Sequence, residues 1–101
     1  MDMDGRITYK FTSKMWRDQS SGGWHFISVP KDISKEIREN LQWQEEGWGR
    51  MKAAAQIQSV KWDTAIWFDS KSKTYYLPVK GEIRKKTRLK VDENISITLW
   101  V

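Results

Sequence analysis

Cysteine is absent from the sequence, so neither a disulfide nor a thiolate-held metal can supplement the core, and a catalytic thiol is excluded. There is one histidine, His25. Without cysteine or a second histidine, Cys-His pairs and zinc-binding sets are ruled out, and no metal site is expected. His25 stands between Trp24 and Phe26, where a lone imidazole reads as a packed or surface residue rather than a base. Glycines are few and make no phosphate cradle: Gly47 and Gly49 flank Trp48, and Gly22-Gly23 form a turn, so no cofactor is expected. The acids Glu45-Glu46 and Asp92-Glu93 are adjacent pairs that diverge in extended backbone, and they read as solvated loop residues. An enzyme built on Asp63, His25 or Tyr76 is therefore the weakest functional reading. No apolar run approaches the length of a membrane span and no basic-apolar-small leader is seen, so the expectation is a cytoplasmic protein with no membrane partner.

What is present is aromatic and basic. At 101 residues the chain forms one domain, which buries roughly 60 to 70% of the surface its unfolded chain exposes. Seven tryptophans make such a core feasible, because each large ring buries on the order of 150 to 250 Å². Residues 61 to 90 hold nine basic side chains against three acids, a net of +6 where the whole chain carries +5. The densest part is "VKGEIRKKTRLKV", with six cations between Lys80 and Lys90. Such asymmetry suits an anionic partner, and it equally suits solubility.

Hydrophobic period sets the elements. Ile7, Tyr9, Phe11 and Met15 alternate with Arg6, Thr8, Lys10, Thr12 and Lys14, as in a half-buried strand. "WHFISVP" is a second strand ended by Pro30. "KDISKEIRENL" places Ile33, Ile37 and Leu41 on one stripe of an amphipathic helix over about 31–41, with Asp32 as the N-cap and Lys35/Glu39 as a surface ion pair. "RMKAAAQIQSV" alternates again, its small alanines marking a closely packed place in the sheet. "KWDTAIWF" and "TYYLPVK" follow, Pro78 arguing for an edge. The spacing then predicts a short helical turn at about 82–87 and a last strand, "NISITLWV". About six strands and one helix in this length make a mainly β protein, closed or nearly closed into a small barrel because closure removes exposed edges.

The order of "GGWHFISVP", "GWGRMKA", "WDTAIWF", "YYLPVKGEIRKK" and "ISITL" resembles the small bacterial domain-of-unknown-function family numbered nineteen-oh-five, over roughly residues 5 to 101. The resemblance implies a double-split β-barrel, an architecture grouped with the DNA-binding domains of AbrB-type regulators and antitoxins. It supplies no catalytic or binding residues. One departure is Asp92-Glu93 where the family pattern has Gly-Asp, so the turn there is made without glycine's freedom at positive φ, a region Asp can visit, and the fold is not threatened.

The leading functional reading is a non-enzymatic binding domain whose basic face (Arg84, Lys85, Lys86, Arg88, with Arg50) contacts an anionic partner, nucleic acid first among them. Trp16, Tyr76 and Trp100 fall on outward strand faces, and Trp48 and Trp67 are further surface or pocket candidates. A convergence of Arg84, Trp48 and Arg50 on a small anion is a weaker variant. The alternative is a protein-interaction or homodimerising module that buries those aromatics.

Overall fold

The structure, a computed structural model, describes residues 6–101. Six strands, β1 (Thr8–Arg17), β2 (His25–Ser28), β3 (Arg50–Ile57), β4 (Val60–Asp69), β5 (Thr74–Pro78) and β6 (Asn94–Trp100), are joined by helices α1 (Lys31–Leu41) and α2 (Gly81–Thr87). The strands close into a barrel in the order β1-β2-β5-β4-β3-β6, each neighbouring pair antiparallel. This is the mainly β small barrel that the alternating segments predict.

Inside the barrel, alternate residues of every strand interdigitate: Met15, Ile27, Met51, Ala55, Ile57, Ile66, Tyr75, Leu77, Ile97 and Leu99 are buried. The triple alanine of β3 has a steric cause. Ala55 pairs with Trp62 across the β3–β4 ladder and Ala54 pairs with Trp100 across β3–β6, so a small residue lies beside a large ring on both faces of the strand. Trp62 packs against the core, whereas Trp67, five residues on, faces outward.

A helix plugs each end. Ile37 and Leu41 of α1 are buried, and the buried Ser34 hydroxyl donates to the Val29 carbonyl at 3.0 Å while accepting the Tyr75 N–H at 3.1 Å, pinning the helix across two strand ends. At the other end Ile83 and Thr87 of α2 are buried, and the Gln58 side chain donates to the Thr87 carbonyl at 2.8 Å.

Several local expectations are corrected. Pro30, not Asp32, is the N-cap of α1: the chain turns at the fixed φ of proline directly out of β2, and Asp32 sits within the first turn. Among the described residues Lys35 and Glu39 form no ion pair. Pro78 is not on an edge, because the ring is closed and Pro78 pairs with Phe26; its missing N–H costs nothing because the β4–β5 ladder ends earlier, at Trp67 and Tyr76. Ile7 lies before β1 and is exposed. The left-handed turn at Asp92 is observed, with φ of 69°.

Candidate functional site

The face that β2, β5, β4 and β3 turn outward is aromatic. Register places Arg50, Trp67, Tyr76 and Ser28 in one row across the four strands. The neighbouring row carries Phe26 paired with both Pro78 and Trp16. Ring centroids lie 5.1 Å apart for Trp16 and Phe26, 5.0 Å for Trp16 and Tyr76, and 5.7 Å for Phe26 and Tyr76. Trp16 is anchored by donating its indole N–H to the Ser28 hydroxyl at 3.0 Å. Trp24, just before β2, stacks on Phe26 at 6.2 Å with rings 14° from parallel, and is itself 56% exposed.

Three shallow depressions meet at Trp24. One, of about 370 Å³, is lined only by Trp24, Phe26, Trp67, Tyr76 and Pro78. A second, of about 530 Å³, adds Arg50, Lys52 and Lys80 around the small floor residue Ala65, with Asp63 as its acid. The third, of about 300 Å³, runs from the Gly22-Gly23 turn past His25 to Lys80 and Arg84. Trp24 and Trp67 thus stand at a boundary between apolar and cationic surface. Arg50 is partly committed: it pairs with Glu46 at 2.5 Å and lies 5.8 Å from the Trp67 ring. Lys52 and Lys80 have no ion pair among the described residues.

The predicted site residues divide. Tyr76, Trp67, Trp16 and Arg50 come together on this face. Trp100 is outward but belongs to the neighbouring face, half-buried, with the Lys61 ammonium 4.3 Å from its ring centroid. Lys85, Lys86 and Arg88 are exposed on and just after α2, while Arg84 turns back to His25, its Nη1 3.3 Å from the ring Nε2. Trp48 does not meet Arg84: it is 93% exposed in the 3-10 turn Gly47–Gly49, at the barrel end opposite α2. Sequence reasoning did not single out Trp24, although "GGW" held the signal, a large ring that follows a two-glycine turn whose φ values are 77° and 99°.

The expectation that Glu45 is a solvated loop acid is overturned. Tyr75 donates its hydroxyl to Glu45, and Arg38 lies 3.3 Å from the same carboxylate while its guanidinium covers the Phe68 ring at 3.7 Å. The loop after α1 folds back because this buried phenol needs an acceptor. Burial, then the Glu45 hydrogen bond, pushes the Tyr75 hydroxyl up. Among the described residues no three of His, Asp and Glu cluster as metal ligands, and no helix is long and apolar enough to cross a membrane. The arrangement offers stacking surface and cations.

No curated protein matches the chain. The family model described as "Domain of unknown function (DUF1905)" matches residues 11–99, all but the margins of the barrel, and the chain belongs to that family.

Proposed function

We propose that this chain is a non-enzymatic binding domain whose outer aromatic face takes single-stranded nucleic acid, bases on the rings and phosphates on the flanking cations. The observation that carries the reading is Trp24, a largely exposed indole already stacked on Phe26 and set where an aromatic depression meets two basic ones. Stacking tolerates any base and contributes roughly 1 to 3 kcal/mol per base, while the phosphate contacts make affinity salt-dependent. Lys52 and Lys80 border the rings, and the exposed Lys85, Lys86 and Arg88 extend the positive field along α2.

The test is a tryptophan-fluorescence titration with single-stranded DNA, duplex DNA and RNA at about 50 and 200 mM salt. Saturable quenching by single strands, weakened steeply by salt and reduced roughly 5- to 100-fold by Trp24→Ala or Trp67→Ala, is expected. Absence of quenching at both salt concentrations rejects the reading.

A second reading, protein association, has its own observation. Trp43 and Trp48, in the loop between α1 and β3, are 79% and 93% exposed, and large indoles of that kind are enriched at the centres of protein interfaces. Concentration-independent monomer mass by light scattering removes its homodimeric form.

A further inference from the structure

We propose that the hollow between the Gly22-Gly23 turn and the first turn of α2 is a phosphate subsite, held by Arg84 and Lys80 and positioned by His25, for the phosphate of a nucleotide whose base lies on Trp24. The inference rests on the nucleic-acid reading above and names the group that orients the strand on that face.

Arg84 is the residue that needs an explanation. A structural arginine at a helix pairs with an acid or caps carbonyls, and among the described residues Arg84 does neither. Among the described residues the one polar contact of its side chain is His25, and its Nε is buried with no partner. A guanidinium cannot accept, so Arg84 donates and the imidazole Nε2 accepts, which places the ring hydrogen on Nδ1. That Nδ1 is also buried and unpartnered. The pair spends one donor of the fork on holding its direction; Nε is shut away from the surface, so the donors left for a ligand in the hollow are those of Nη2, beside Gly81.

The surroundings are shaped for a small anion. Gly22, Gly23 and Gly81 supply walls without side chains, and a Cβ on Gly81 would come within 3.3 Å of the Arg84 Nη2. Arg17, the ladder partner of His25, lies against Gly23, where a Cβ would be 3.1 Å from its Nη2. Lys80 is exposed, lines both this hollow and the depression beneath Trp24 and Trp67, and carries no ion pair among the described residues. An arginine fork with an adjacent lysine is the chemistry that takes a phosphate with direction. The hollow's other wall is Trp24 itself, so a phosphate held here sits one residue's reach from a stacked base.

The full chain is titrated with inorganic phosphate, thymidine 5′-monophosphate and thymidine, following the Arg84 Nε–H and His25 ring resonances, and with an oligothymidylate of about ten residues followed by fluorescence. Saturable shifts are expected with phosphate and the monophosphate, tighter for the latter, and none with thymidine. Arg84→Gln should weaken both phosphate ligands about tenfold and lower the oligonucleotide salt slope by about one, with Arg84→Lys recovering only part. Lys80→Gln, at an exposed position that does not threaten the fold, should weaken them in the same order. Unmoved resonances, or affinities unchanged in Arg84→Gln and Lys80→Gln, overturn the subsite. Oligonucleotide binding that depends on Trp24 and Trp67 but not on Arg84 overturns the subsite and leaves the aromatic face standing. Phosphate bound at Arg84 with no oligonucleotide binding keeps the subsite for small phosphate ligands and rejects the single-strand reading.

Discussion

Gly49 has a conformation few residues tolerate, with φ of 71°, and a Cβ there would approach the Phe68 Cβ to 3.1 Å. Gly49→Ala should destabilise the protein by about 1 to 3 kcal/mol, read by denaturant melts with an unchanged m-value. The two inward tyrosines give a second prediction at this scale. Burial and then the Glu36 hydrogen bond push the Tyr9 hydroxyl up to about 12, and Tyr75 is raised in the same direction by burial and Glu45. A raised folded value means the unfolded chain releases these protons first, so their stabilising effect is complete below the ordinary tyrosine value and is lost as pH rises through it towards the folded one. Stability measured from pH 9 to 12 should fall, from about pH 10 upward, more steeply for wild type than for Tyr9→Phe with Tyr75→Phe. Equal slopes would show that neither phenol stays protonated in the fold.

At the scale of single elements, the β4–β5 turn is held by Asp69, whose carboxylate accepts from the Ser72 N–H at 2.9 Å, the Ser72 hydroxyl at 2.7 Å and the Tyr76 hydroxyl at 3.1 Å. The Ser72 backbone bond, followed by its hydroxyl, lowers the carboxyl below its usual range. That stabilisation is present above the ordinary carboxylate value and fades as pH falls through the lowered one, so Ser72→Ala should flatten the acid limb of a stability–pH curve. The turn also matters to the face, since Tyr76 is fixed by the same carboxylate. Helix α2 behaves otherwise: Lys85 and Lys86 are exposed and without an ion pair among the described residues, and Lys85→Gln with Lys86→Gln should change stability by less than about 0.5 kcal/mol while lowering the salt dependence of any anion binding. Elements were the most legible part of the sequence, because the period of two in Met51, Ala53, Ala55 and Ile57 and the helical spacing of Ile33, Ile37 and Leu41 record burial directly. The site was legible only in part. Tyr76 is identifiable as outward from alternation, and Trp62 and Trp67 as facing opposite sides without showing which is outside, but the meeting of Tyr76 and Trp67 with Trp24, and the turn of Arg84 back to His25, depend on which strands become neighbours. Glu45 misled for the same reason: its partner Tyr75 lies thirty positions away, and no local pattern announces it.

For the molecule as a whole, both barrel ends are filled by helices and the interior by side chains, so the proposed site lies on the outer surface and its edges. Binding should therefore leave the backbone little changed. Core amide exchange should be the same with and without a bound oligonucleotide, and protection gained deep in β3 or β6 would contradict a purely external site.

The ring closes through β6, which pairs with β1 from Thr8–Trp100 to Lys14–Asn94 and with β3 on its other side. The two strands that seal the barrel are thus the first and the last of the six described, and no local hairpin can substitute for their meeting. Loop-closure entropy must be met before that contact rewards it, which puts folding in the slow, non-local regime of roughly milliseconds to seconds. Until β6 arrives, β1 and β3 each carry an unpaired edge, so the same closure that protects the finished barrel leaves its folding intermediates the form of this protein most open to misassociation.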